Sequence, residues 1–114
     1  MSGKIYEKWI DLTQSKNFKS NLMAAGFSKC VVSVDFFDDN NGETVTSGVG
    51  GTYEVKAQDT MNEQSLATVN SSPVTASDKD YDRPFCSGPV LFIHIDFNSV
   101  TGGKFARVNV WRAE

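Results

Sequence analysis

At 114 residues, 39% hydrophobic and 22% charged, the chain is long enough for one domain with its own core and too apolar to be disordered. The net charge of −3, with Lys and Arg scattered singly, excludes the basic stripe that nucleic-acid binding requires. No apolar run approaches the ~18 residues of a membrane span. Eight Phe, three Tyr and nine Gly favour strands and turns.

Met1 to Lys8 contains no apolar segment of the signal-peptide kind, so synthesis in the cytoplasm is the expectation. Lys4 to Leu12 alternates, with Ile5, Glu7 and Trp9 on one side and Tyr6, Lys8, Ile10 and Leu12 on the other. Apolar residues on both sides make residues 1–16 a strand or an extended arm, ahead of a single β-sandwich domain over 17–114. Phe18, Leu22 and Ala25 recur at helical spacing before Gly26. Residues 17–25 therefore read either as one short helix or as an irregular segment.

From there the strand signals sharpen. Lys29 to Phe37 places Cys30, Val32, Val34 and Phe36 on one face and Val31, Ser33, Asp35 and Phe37 on the other. Asn41-Gly42 supplies a turn because both residues tolerate positive φ, and Glu43 to Thr46 returns as a short strand. Gly48, Gly50 and Gly51 predict a bend or bulge where a side chain would be in the way. Thr52 to Ala57 then points Tyr53, Val55 and Ala57 inward.

Gln58 to Arg83 is polar, with short edge strands expected at 65–69 and 74–77, and Pro73 and Pro84 argue against central strands there. Val90 to Phe97 is apolar on both faces, which predicts a central strand covered on both sides. Lys104 to Arg112 sends Ala106, Val108 and Val110 to the core, leaving Phe105, Arg107, Asn109 and Trp111 facing away. Short strands spaced by turns, without βαβ alternation, predict an all-β fold: a small antiparallel β-sandwich or jelly-roll-like barrel.

Catalytic chemistry finds little support. His94, the one histidine, lies within the apolar strand and is expected to be packed or interfacial. One His and two Cys are too few for a four-ligand zinc site. Asp78, Asp80 and Asp82 alternate like calcium ligands, but Arg83 stands where the loop needs glycine and Pro89 where it needs glutamate. No metal, cofactor or enzymatic activity is expected. Cys30 and Cys86 are expected as thiols in a cytoplasmic chain, a disulfide being the alternative. The aromatic surplus remains: Tyr6, Trp9, Phe105, Arg107 and Trp111 are the candidate partner-binding residues, because Trp, Tyr and Arg anchor interfaces.

Asp35-Phe36-Phe37-Asp38, a turn with Gly42, Val45-Thr46-Ser47-Gly48, Gly51-Thr52-Tyr53-Glu54-Val55, Gly88-Pro89, Val100-Thr101-Gly102-Gly103 and Val108-Asn109-Val110-Trp111-Arg112 follow one another along the chain. This pattern resembles small virion structural proteins of tailed bacteriophages, of the head-decoration or tail-accessory type. The resemblance implies a non-enzymatic capsid decoration or cement protein, made in host cytoplasm and carried on the virion. It would be a homo-oligomer whose partner is the major capsid protein or another virion protein, with neither nucleic acid nor membrane as partner. A ligand-binding module, for carbohydrate or receptor, is the alternative. The two differ in whether the aromatics form a flat patch or line a groove beside Asp and Asn.

Overall fold

Inward-facing Val, Ile and aromatic residues, alternating with polar ones, give each long strand one face to bury, and two such faces close on each other. The computed structural model describes residues 3–21, 30–39, 48–62, 66–68, 73–76, 85–86 and 90–112. These contain ten strands: β1 (Gly3–Asp11), β2 (Asn17–Lys19), β3 (Cys30–Phe37), β4 (Gly50–Gln58), β5 (Leu66–Thr68), β6 (Val74–Thr75), β7 (Phe85–Cys86), β8 (Phe92–Asp96), β9 (Val100–Thr101) and β10 (Phe105–Arg112). All pair antiparallel. One sheet runs β1-β10-β3-β7; the other runs β2-β8-β4-β5, with β6 and β9 also paired to β4. The fold is all-β, a small β-sandwich.

The core lies between the sheets. Ile10 of β1, Val32 and Phe36 of β3, and Ala106, Val108 and Val110 of β10 meet Tyr53, Val55 and Ala57 of β4 and Ile93 and Ile95 of β8. Phe97, fully buried just beyond β8, joins the sheets: its ring centroid lies 6.0 Å from Phe36 and 5.7 Å from Tyr53. Burying each such side chain contributes about 1.5–3 kcal/mol.

β2 replaces the short helix expected near residues 17–25, at least over its first three residues. Asn17, Phe18 and Lys19 pair with Asp96, Ile95 and His94, and buried Ser20 continues the contact through its amide to the Ile93 carbonyl at 2.9 Å. Pairing with β8 outweighs a local helical spacing. Residues 22–25 lie outside the described residues, as do the Asn41-Gly42 turn, Glu43 to Thr46, Asp78 to Asp82 and Pro84.

β8 is central in its sheet but covered on one side only, which corrects the expectation of cover on both. Ile93 and Ile95 are buried, whereas Phe92 and His94 are half-buried and Asp96 is exposed. The two faces have different fates because the second one carries side chains that tolerate water at their edges.

Gly51 meets the expectation of a glycine where a side chain would not fit. Its φ is +81°, and a Cβ there would fall 1.8 Å from the Ser99 carbonyl oxygen. β4 passes the chain at 99–100 with backbone against backbone.

At its free edge β1 carries two irregularities. The register against β10 shifts between Lys4 and Tyr6, leaving Ile5 as an extra residue, 39% exposed. Lys8 shares the core-facing register with Tyr6 and Ile10, yet is exposed. A bulge and an inward-register lysine both oppose docking of a further strand on that edge.

Candidate interaction surface

The outer face of the β1-β10-β3-β7 sheet follows from its register. Directly opposed residues share a face, so cross-strand rows can be written out. Lys4, Trp111 and Val31 form one row; Glu7, Asn109 and Ser33 the next; then Trp9, Arg107 and Asp35; then Asp11, Phe105 and Phe37. Four of the five candidate partner-binding residues, Trp9, Phe105, Arg107 and Trp111, thus gather on one surface. Tyr6 stands apart. It belongs to the core-facing set, with its ring 6.5 Å from Phe18 and its hydroxyl 3.5 Å from the Asn21 amide.

The Arg107 guanidinium caps a pair of touching rings, 5.1 Å from the Phe37 centroid and 5.7 Å from that of Trp9, which are themselves 5.1 Å apart. Its Nη2 donates to Asp35 Oδ2 at 3.1 Å. A planar, weakly hydrated cation suits this stacked site in a way that lysine would not. Trp111 Nε1 donates to Ser33 Oγ at 3.2 Å, and Lys4 Nζ lies 5.9 Å from the Trp111 ring.

The bulge at Ile5 brings Lys4 to this face. It also sets Lys4 beside Glu7, two residues whose separation would put them on opposite sides of a regular strand. Lys4 Nζ donates to Glu7 Oε1 at 2.6 Å. That hydrogen bond, with the positive charges of Lys4 and Arg107 behind it, holds the exposed Glu7 carboxyl below its ordinary range.

Although it points away from the core, part of this face is dry. Phe37 is 4%, Asn109 5% and Ser33 7% exposed. Arg107 Nε and Asn109 Oδ1 are buried without a hydrogen-bond partner among the described residues. Groups left in that state cost roughly 1–3 kcal/mol each.

The other sheet's outer face differs in chemistry. A depression of about 170 Å³ is lined by Asn17, Phe18, Glu54, Lys56, His94, Ile95 and Asp96. His94 Nε2 meets Gln58 Oε1 at 2.8 Å, while Gln58 Nε2 donates to the Thr60 carbonyl at 2.8 Å. The glutamine amide therefore offers His94 its oxygen, and the Nε2 position carries the proton. No group of three or more His, Cys, Asp or Glu residues is placed to hold a metal ion among the described residues.

Sequence reasoning missed Lys4, Ser33, Asp35, Phe37 and Asn109 as members of the aromatic face. Alternation along β3 and β10 had already sorted the sides of all but Lys4, which the Ile5 bulge moves across. The missing signal was which strands are neighbours, and with what register. Compared with known proteins, the chain matches no family model and no curated relative.

Proposed function

We propose that this chain is a non-enzymatic binding protein that self-associates, and docks on a larger protein assembly, through the outer face of its four-stranded sheet. The observation that carries this reading is the convergence of Trp9, Phe105, Arg107 and Trp111 on one surface. They share one face of the sheet, which supports a patch-like surface over a groove rim. Half-buried aromatics and a stacked arginine are the residue types that supply most of the energy in protein interfaces. The resemblance to phage head-decoration proteins makes a virion surface the proposed recipient, with the major capsid protein as partner. Attachment would use the face rather than the β1 edge, because the Ile5 bulge and Lys8 oppose strand addition there.

A ligand-binding module is the second reading, favoured by the polar depression around Asn17, Glu54, His94 and Asp96. Its one aromatic lining residue is Phe18, and the tryptophans lie on the opposite sheet.

Light scattering of the purified chain and of Trp111→Ala tests the first reading. The wild type is expected to be oligomeric, and the variant monomeric and folded, with a fold destabilisation below ~3 kcal/mol. A wild type that stays monomeric at high concentration refutes self-association through this face. A variant that loses more than that makes Trp111 a core residue.

A further inference from the structure

The pairing of β3 with β7 sets Cys30 directly opposite Cys86. Opposed residues of an antiparallel pair have Cα atoms about 4.5–5.5 Å apart, inside the window of about 4.4–6.8 Å that a disulfide spans. We propose that Cys30 and Cys86 form an intramolecular disulfide in an oxidising environment and stand as two thiols in a reducing one. The bond staples β7 to the sheet. This inference rests on the register alone and is independent of the proposed function.

The place of the pair gives the bond its effect. β7 is held to β3 by two residue pairs, Cys30 with Cys86 and Val31 with Phe85, where β10 is held to β3 by eight. A two-residue edge strand is the kind of element that opens locally before the domain unfolds. A covalent link there acts where backbone pairing is least. It also closes a loop of about half the chain, which removes much of the unfolded ensemble's freedom. Cys30 is 0% exposed, so reagents reach it only when β7 opens.

The chemistry is exchange with a low-molecular-weight disulfide such as oxidised glutathione. One cysteine thiolate attacks the oxidant, whose S–S bond breaks and releases one thiol. The second cysteine thiolate then displaces the remaining half as a second thiol. Two protein S–H bonds are lost and one S–S bond is formed. The oxidant takes up the two electrons and two protons.

The full chain is equilibrated across a series of glutathione buffers from fully reduced to fully oxidised, acid-quenched, alkylated in denaturant and analysed by mass spectrometry. The oxidised end is expected to give a single-chain species two hydrogens lighter, resistant to alkylation, with the peptides bearing residues 30 and 86 linked. Its Tm is expected to exceed that of the reduced chain by about 5–10 °C. Cys86→Ser is expected to melt like the reduced wild type in both buffers. Alkylation of both thiols at the oxidised end overturns the proposal. So does a bond between two copies, glutathione retained on each cysteine, or a disulfide that leaves the Tm unchanged.

Discussion

The two outer faces of the sandwich are built by the same strand alternation and have opposite characters. On the β1-β10-β3-β7 side, Trp9, Phe37 and Arg107 pack together, Trp111 bonds to Ser33, and Ser33, Phe37 and Asn109 are buried. On the β2-β8-β4-β5 side, Asn17, Glu54, Lys56, His94 and Asp96 stand around a shallow depression open to solvent. Facing away from the core is therefore not the same as facing water. Wide side chains laid flat along cross-strand rows make a second apolar layer outside the sheet, whereas short or charged ones leave it wet.

Removing residues 1–16 breaks this comparison most completely, because β1 contributes to both sides of its sheet. Ile10 and Leu12 are buried in the core while Trp9 stacks on the outer face. Loss of two aliphatic burials at about 1.5–3 kcal/mol each, together with the strand's hydrogen bonds, consumes most of a typical domain's stability. The truncated chain is expected to be unfolded by circular dichroism. A native-like spectrum would mean that β1 rides on the sandwich instead of completing it.

A smaller and more selective contrast comes from truncating one long cation on each face. Arg107→Ala is expected to cost about 1–2 kcal/mol, since it uncovers the Trp9 and Phe37 rings and strips Asp35 of its partner. Lys56→Ala is expected to stay within about 0.5 kcal/mol, because its ion pair with Glu54, at 3.5 Å, is well exposed on both sides. Urea denaturation measures both. Equal losses would erase the distinction between the faces.

The least effect is expected from Glu7→Gln, and it is confined to acid. The folded state holds the Glu7 carboxyl below its unfolded value, so the contribution is complete above the ordinary glutamate pKa of ~4.3. It is lost as pH falls through the depressed folded value. Denaturation midpoints at about pH 7 and about pH 3 should converge for wild type and variant at the lower pH. A gap that widens in acid would reverse the sign of the Lys4–Glu7 interaction.

Much of the fold is legible from period-two alternation where a strand has one wet face or one aromatic face. β3, β4 and β10 emerge within a residue or two of their bounds, with Tyr53, Val55 and Ala57 and Ala106, Val108 and Val110 directed inward. β8 misleads because hydrophobicity was equated with cover. Phe92 meets the Lys19 ammonium, 4.4 Å from its ring, and His94 meets Gln58. β2 is hidden because its conformation is imposed by β8, a partner far along the chain.

For the candidate surface, alternation supplied the sides but not the rows. Arg107 could be assigned to the outer face from the sequence, but its contact with both Trp9 and Phe37 depends on β10 lying between β1 and β3. The Ile5 bulge is silent in the sequence, and with it the transfer of Lys4 to the face of Trp111.

Gly51 carries a consequence for ancestry. With the Ser99 carbonyl occupying the space of any Cβ and a backbone that L-residues avoid, position 51 admits no side chain. A diverged descendant of this chain should retain glycine there, opposite the chain at position 100. That glycine is the signature by which kinship would outlast overall sequence identity.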